Sequence, residues 1–330
     1  MGLVIVPPTF ATSHPHIMID GAAKERSMIT LSHWPASPTP PRLRRDLSYE
    51  IVMAYLDNVF RKNPFLREKF IYRKTKYVTL DHLDEDGILS AFAILNPNKA
   101  FRHRKLFADA SRLGDFNIFP SEDAAVLTFG LRYLLDPQRS YLFGTDDVDN
   151  FLHQSVAHVF DLIENYPKNQ SVFADLADEE MASFAQSRSH FLSGRARIKE
   201  LPKLSLAVVE VDLPASRTGT TIKPTIDLGV HPAAVHSLTD MMRIVICWPD
   251  RLLYYDRYET WVRFVSRRLA KRPNLELLAT ELNLSEDNHV WHGDPSNEPL
   301  ACLCRGEKEI STLSNSKALD IICKGLEAFS

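Results

Sequence analysis

Three short apolar segments, each ending in a polar residue, constrain the fold of this chain more than any other feature. They are HIMID, SMITLSH and KYVTLDH, which end at Asp20, His33 and His82. Short apolar segments of this kind are typical of buried strands. DLSYEIVMAYLDNVF, between the second and the third, has apolar residues at helical spacing, with Asp46 as its expected N-cap. This alternation predicts an α/β fold with a doubly wound, mainly parallel sheet and flanking helices.

The remainder of the chain divides into a helical region and a second mixed region. Because the pattern from FRHRK onward is almost wholly helical, residues 1–190 are expected to form one α/β domain with a helical second half. Segments rich in β-branched and aromatic residues begin again near Leu204. They predict a smaller α+β domain at 204–330, joined by a charged connector from Arg188 to Lys203.

Composition argues for a folded protein and against a general affinity for nucleic acid or membranes. Hydrophobic residues make up 45% of the 330 residues, and the 39 basic and 42 acidic side chains nearly cancel. No apolar run approaches the length that spans a bilayer, and the first residues lack a basic leader. The expected location is the cytoplasm, without membrane contact.

The stretch TLDHLDEDGILSAFAIL places four carboxylates and a histidine between two apolar segments. It is not an EF-hand loop, because setting Gly87 at position six puts a histidine at position one and an alanine at position twelve. On a strand end, Asp84 and Asp86 would point to one side about 6.5 Å apart. Each would then reach one ion of a pair separated by about 4 Å. An acidic capping turn is the alternative.

Part of this stretch, HLDEDGILSAFAI, resembles the first motif of the DHH phosphoesterase superfamily. In that motif two aspartates separated by one residue, followed by a Ser-Ala run, close a strand and open a helix. Asp84, Asp86, Ser90 and the adjacent alanine fall on the pattern. Leu80 stands where the superfamily usually has a histidine, and Asp81 or His82 is the candidate substitute.

Two further segments resemble the other motifs of this superfamily in a permuted order. ITLSHWPASPTPP is similar to the segment that names the superfamily, with His33 at its first histidine. Ser32 and Trp34 replace the aspartate and the second histidine. IMIDGAA resembles the strand that ends in the bridging aspartate, here Asp20. On this reading Asp20 and His33 must lie close to Asp84.

The resemblance implies a phosphohydrolase that uses one or two Mn²⁺ or Mg²⁺ ions to cleave a phosphoester or phosphoanhydride. Asp20 would bridge the ions, Asp84 and Asp86 would be terminal ligands, and His33 would be a ligand or an acid for the leaving group. Asp115, which follows a glycine after a helical segment, is either a further ligand or a polar residue beyond a C-cap. The candidate ligands are Asp20, His33, Asp81, His82, Asp84, Asp86 and Asp115.

The second region carries the candidate substrate contacts. Arg263, Ser266 and Arg267 lie in WVRFVSRRLA, which is expected to be a helix, and Arg217 lies in DLPASRTGTTIKP. In DHH-like proteins a small C-terminal domain binds the substrate, so these residues are expected to hold a small phosphorylated substrate or a short oligonucleotide. The alternative is a solvated basic helix face. The oligomeric state stays open.

Ser32 and Trp34 stand where the superfamily has an aspartate and a histidine, so two expected side chains are missing. Other functions therefore also stay open. One is a weakened or inactive DHH-like protein that binds a phosphorylated ligand. The other is an interaction module whose acidic turn is only structural.

Overall fold

The structure is a computed structural model, and its chain is mixed α/β. It forms two compact units, Met1–Met181 with Arg263–Ser266, and Ala182–Val262 with Arg267–Ser330. The residues that it describes are 2–60, 67–143, 148–212, 221–223, 226–227, 229–249, 251–286, 290–305 and 312–329.

A four-stranded parallel sheet lies in the first unit, with the order β1-β4-β2-β3. The three apolar segments predicted as strands are confirmed as β2, β3 and β4. Each is short and largely buried, and all four residues of β2 are inaccessible to solvent. Parallel pairing brings the carboxyl ends of these strands to the same edge of the sheet. The strands are β1 Val4–Ile5, β2 His16–Ile19, β3 Ser27–Leu31 and β4 Tyr77–Leu80.

Helices cover this sheet and share its apolar core. The apolar face of α2 includes Ile51, Tyr55 and Leu56, which are buried together with residues of the sheet. The helix starts at Ser48, and the Asp46 carboxylate bonds elsewhere, so the expected Asp46 N-cap is wrong. The helical second half is confirmed. The helices are α1 Pro8–Ala11, α2 Ser48–Phe60, α3 Arg67–Lys74, α4 Glu85–Leu95, α5 Pro97–Arg102, α6 Arg104–Phe116, α7 Glu122–Leu135, α8 Val148–Gln154, α9 Val156–Glu164 and α10 Tyr166–Leu192.

The second unit contains a six-stranded mixed sheet with the order β11-β12-β10-β9-β6-β5. Its β6–β9 pair is parallel, whereas its other described pairs are antiparallel. Strands β7 and β8 pair with each other separately. The connector expected at 188–203 is wrong, because this stretch contains the end of α10 and the strand β5, which pairs with the apolar strand β6. The strands are β5 Ala196–Leu201, β6 Leu206–Val211, β7 Thr221–Lys223, β8 Ile226–Asp227, β9 Arg243–Cys247, β10 Leu252–Asp256, β11 Trp291–Gly293 and β12 Cys302–Arg305; the helices are α11 Pro232–His236, α12 Leu275–Asn283 and α13 Asn315–Ala328.

The helix expected over WVRFVSRRLA is also wrong, because residues 261–270 are not helical. The backbone N–H groups of Arg263, Val265 and Ser266 donate instead to His33 and Asp46 in the first unit. These long-range bonds replace the local hydrogen bonds that a helix would have made.

Among the residues that the structure describes, no helix combines the length and the apolar character needed to cross a bilayer.

Candidate metal centre

Polar residues follow three neighbouring strands at one edge of the four-stranded sheet. Asp20 follows β2 directly, while His33 and His82 each lie two residues beyond β3 and β4. β2 lies between β3 and β4, so Asp20 is central. Sites in open α/β sheets lie outside the carboxyl ends of the strands, where the strand order reverses. Asp20 has a φ of +43°, a left-handed conformation that aspartate tolerates better than most residues.

Asp84 and Asp86 lie at the start of α4 rather than on a strand. Asp84 is the N-cap, and its Oδ1 accepts the N–H of Gly87 at 2.7 Å. Because the helix begins between the two aspartates, the expectation that both project from one side of a strand is wrong. The two carboxylates have different neighbours instead. Asp84 lies with His82, and Asp86 lies with His33.

These side chains form two groups that share Asp20. One contains Asp20, His82 and Asp84, the other contains Asp20, His33 and Asp86, and the ligand atoms of each lie within 4.8 Å of one another. Asp20 Oδ2 is 3.5 Å from His82 Nε2, and Asp20 Oδ1 is 3.6 Å from His33 Nε2. Around an octahedral ion with bonds of about 2.1 Å, adjacent ligand atoms are about 3.0 Å apart and opposite ones about 4.2 Å. The Asp20–His33–Asp86 group is therefore compatible with a divalent cation site. In the other group His82 Nε2 and Asp84 Oδ2 are hydrogen-bonded at 2.5 Å, so these two atoms must separate by about 0.5 Å to hold one ion.

The imidazole of His33 is held in one orientation. Its Nδ1 donates to the backbone carbonyl of Asp46 at 2.6 Å. Since a carbonyl only accepts, Nδ1 carries a proton, and Nε2 is the ring nitrogen that faces the cluster. Nε2 lies 3.6 Å from Asp20 Oδ1 and 3.4 Å from Asp115 Oδ2. Histidines that bind metals are commonly oriented in this way by a carbonyl on the other ring nitrogen.

Asp115 is a buried member of the same cluster. Its side chain is only 4% exposed, and its Oδ2 accepts no hydrogen bond from the residues that the structure describes. Gly114 lies within α6, whose C-cap is Asn117 in a left-handed conformation. The alternative that placed Asp115 beyond a C-cap glycine is therefore wrong.

The N-terminus of α2 is directed at the cluster. The backbone N–H groups of Ser48 and Tyr49 donate to the two oxygens of Asp86 at 2.8 and 3.0 Å. Ser48 Oγ donates to Asp20 Oδ1 at 2.6 Å. The positive end of a helix favours carboxylates at this position. Asp86 therefore also caps α2, a structural role that does not require a metal.

The carboxylates of the cluster repel one another. Burial raises the pKa of Asp20, Asp86 and Asp115, and neighbouring carboxylates raise each of them further. Burial would also raise the pKa of Asp84, but the charge and hydrogen bond of His82 outweigh it and lower that pKa. Burial alone would lower the pKa of His82, but the Asp84 carboxylate raises it to about 10. Full ionisation of four adjacent carboxylates requires compensating cations.

His82 and Asp84 form the side of the cluster that solvent reaches. Their side chains are 35% and 28% exposed, whereas those of Asp20 and His33 are each 1% exposed. The ring of Trp34 lies beside this side, 5.2 Å from the His82 ring between centroids. The cluster is therefore accessible to solvent through His82 and Asp84.

Three other residues predicted for the site lie outside both groups. The Asp81 carboxylate accepts the N–H of Ala22 at 2.9 Å and pairs with Lys24 at 2.6 Å, so it holds the turn after β2. The guanidinium of Arg263 donates hydrogen bonds to the backbone carbonyls of Pro35 and Ser37 in the first unit. Ser266 contributes its backbone N–H to the Asp46 carboxylate.

The last two residues predicted for the site are Arg267 and Arg217. The Arg267 guanidinium lies 3.9 Å from the Met242 sulfur, within the second unit. Arg217 lies outside the described residues. Sequence reasoning missed the site roles of Asp46 and Ser48. The signal that points to them is a pair of polar residues at the start of a helix that follows a strand end.

The comparisons with known proteins assign no activity to this site. The chain matches a family described as a family of unknown function (DUF6687) over residues 3–318. No curated protein matches it.

Proposed function

The chain belongs to the DUF6687 family, whose function is unknown, and we propose from its site that it is a divalent-metal-dependent phosphoesterase of the DHH type. Its reaction would be hydrolysis of a phosphoester or phosphoanhydride. Its substrate would be a small phosphorylated molecule or a short oligonucleotide. The doubly wound arrangement of the first unit and a cytoplasmic location belong to this proposal.

The observation that carries the proposal is the position of Asp20 between two ligand groups. Its two oxygens point to different histidines, His82 on one side and His33 on the other. A carboxylate that is shared in this way can bridge two ions, as two-metal hydrolases require. The permuted motif order that the sequence suggested requires Asp20 and His33 to lie near Asp84, and the two groups that share Asp20 agree with that requirement.

The donor atoms of the cluster suit Mn²⁺ or Mg²⁺. Carboxylate oxygens dominate both groups, and each adds one imidazole nitrogen, a combination that favours hard or intermediate cations. When bound, such ions lower the pKa of water and neutralise phosphate oxygens. His33 contributes a ring of fixed orientation, because its Nδ1–H is engaged by the Asp46 carbonyl. Asp20, Asp86 and His33 are buried and form the deep side of the cluster.

Metal titration of variants tests this assignment. Chelator-treated wild-type protein is expected to bind two Mn²⁺ per chain and then hydrolyse a chromogenic phosphodiester. His82→Gln and His33→Gln should each remove one ion, because each histidine belongs to only one group. Asp20→Asn should weaken both ions, since Asp20 belongs to both groups.

Asp81→Asn is the matched control. It removes a carboxylate charge one residue from His82 but outside both groups, so two ions should remain. Calorimetry or elemental analysis gives the stoichiometry, and thermal unfolding verifies that each variant is folded. A folded wild type that binds no Mn²⁺ contradicts the proposal.

A second candidate is a binding protein that keeps the metal centre but does not catalyse. Ser32 Oγ accepts the N–H groups of Gly21 and Trp34 at 3.1 and 3.2 Å. The residue at the expected aspartate position thus serves the backbone, which leaves fewer groups for catalysis. Two bound ions and tight binding of inorganic phosphate, without hydrolysis of any phosphoester tested, would favour this candidate.

A further inference from the structure

The segment Arg263–Ser266 belongs to the first unit, although the residues on both sides of it belong to the second. We propose that this 263–266 segment, acting through Asp46, is the element that positions His33 for metal binding. The inference rests on the proposed function, because it assigns a positioning role within that metal centre.

The first step of the argument is the number of bonds that fix His33. Its Nδ1 donates to the Asp46 carbonyl at 2.6 Å, and its backbone N–H donates to Ser48 Oγ at 3.2 Å. Its own carbonyl accepts the N–H of Arg263 at 2.7 Å. The ring orientation therefore depends on where Asp46 lies, and the backbone position depends partly on the 263–266 segment.

The second step is the carboxylate of Asp46, which is buried. Its Oδ1 accepts two backbone N–H groups, from Val265 at 2.7 Å and from Ser266 at 3.0 Å. Hydrogen bonds to a charged acceptor are about twice as strong as neutral ones. One residue thus links the 263–266 segment, through its side chain, to the ring of His33, through its carbonyl.

The third step is the loop that joins β3 to α2. The Arg263 guanidinium donates to the carbonyls of Ser37 and Pro35 at 2.8 and 2.6 Å. Together with the bonds to His33 and Asp46, these contacts hold both ends and the middle of the loop. The guanidinium of Arg263 therefore holds the backbone of this loop instead of contacting a substrate.

Aromatic packing also connects the 263–266 segment to the ring of His33. The Phe264 ring lies 5.6 Å from Phe116 between centroids, and Phe116 lies 6.3 Å from His33. Polar and apolar contacts of the 263–266 segment therefore converge on the same histidine. Asp46 is a positioning residue, because it orients the ligand without itself joining either ligand group.

Two substitutions of Asp46 separate its acceptor oxygen from its charge. Asp46→Ala removes the acceptor for both N–H groups. Asp46→Asn keeps an oxygen at the position of Oδ1, which accepts both bonds. Loss of an orienting partner of a metal ligand typically lowers metal affinity about 10- to 100-fold. We expect that loss for one of the two Mn²⁺ ions in Asp46→Ala and near wild-type affinity for both in Asp46→Asn.

Calorimetric Mn²⁺ titration and electron paramagnetic resonance provide the readouts. The wild type should give the spectrum of a spin-coupled Mn²⁺ pair, whereas Asp46→Ala at limiting metal should give that of an isolated ion. Asp256→Ala is the control, because Asp256 is a buried carboxylate whose hydrogen bond from Tyr254 lies within the second unit, outside the β3–α2 loop. It should keep the coupled pair.

Each outcome decides something. A wild type without Mn²⁺ overturns the proposed function and this inference with it. A wild type with two ions, together with a folded Asp46→Ala that binds both equally well, overturns the inference alone. So does equal loss in Asp46→Ala and Asp46→Asn. If Asp46→Ala does not fold, Arg263→Met decides by the same titration, since it removes only the clamp on Pro35 and Ser37.

Discussion

Gly87 is the position where adding a single methyl group should disturb the metal centre without weakening the fold. It lies in the first turn of α4, and its N–H donates to Asp84 Oδ1. A Cβ at this position would lie 3.1 Å from Asp84 Oδ1 and 3.3 Å from Asp20 Oδ2. Both contacts are tight enough to displace the neighbouring atom by a few tenths of an ångström.

The two consequences of Gly87→Ala have opposite signs. Metal–ligand distances tolerate only about 0.2 Å of change, so shifting two ligands should lower Mn²⁺ affinity about 10- to 100-fold, as outer contacts of metal ligands do. Replacing a helical glycine by alanine stabilises a helix by up to about 1 kcal/mol. That gain corresponds to a rise in Tm of about 2–4 °C for a domain of this size.

Calorimetric Mn²⁺ titration and differential scanning fluorimetry of the chelator-treated protein measure both quantities. Ser90→Ala is the control on the same helix. Its buried hydroxyl has no hydrogen-bond partner among the described residues, so its removal should leave Mn²⁺ affinity unchanged and stability equal or higher. A folded Gly87→Ala with wild-type Mn²⁺ affinity would refute the assignment of Asp20 and Asp84 as ligands of one ion.

Three further outcomes follow from charged groups. Burial alone would lower the pKa of His82, but the Asp84 carboxylate raises it to about 10. A bound metal must therefore displace a proton from His82, so Mn²⁺ affinity should rise up to tenfold per pH unit between pH 6 and 8. Calorimetric titration in buffers of different ionisation enthalpy should show this proton release. Burial raises the pKa of Asp256 from 3.8 to about 6, so the folded protein loses stability as the pH rises from 4 through 6 and Asp256 ionises. Asp256→Asn cannot ionise, so its free energy of unfolding relative to wild type should increase by up to about 3 kcal/mol between pH 4 and 8, as measured by urea unfolding. Arg257 and Glu259 are a fully buried pair at 2.5 Å, so Arg257→Met should lose about 3–5 kcal/mol, and the same unfolding assay should show partial recovery when Glu259→Leu is added.

The sheet edge was predictable because its information is local. A short apolar run that ends in a polar residue specifies a buried strand and the position of its last side chain. Three such runs predict that Asp20, His33 and the group from Asp81 to Asp86 meet at one edge. The proximity of Asp20 and His33 to Asp84, which the permuted motif order required, is confirmed by the two ligand groups. Their role as metal ligands stays a prediction.

The interior of the site was less predictable because its contacts are distant in sequence. Asp46 looked like a helix cap, since an aspartate before an apolar helix is the usual cap signature. Its carboxylate instead accepts N–H groups from residues 219 and 220 positions later. WVRFVSRRLA has helical spacing, but these bonds override its local preference. No single-sequence pattern encodes such a pairing.

The late position of the 263–266 segment in the sequence also bears on when the proposed metal centre can be completed during synthesis of the chain. Ser266 is added to the polypeptide 220 residues after Asp46. At about 5–20 residues per second, that interval is roughly 10–45 s. Once Asp115 has been added the first unit has its carboxylates, but His33 and Asp46 still lack their contacts with the 263–266 segment. Incorporation of both ions should therefore follow translation of the segment, so ribosome-bound chains that end before residue 263 should carry at most the ion of the His82 group.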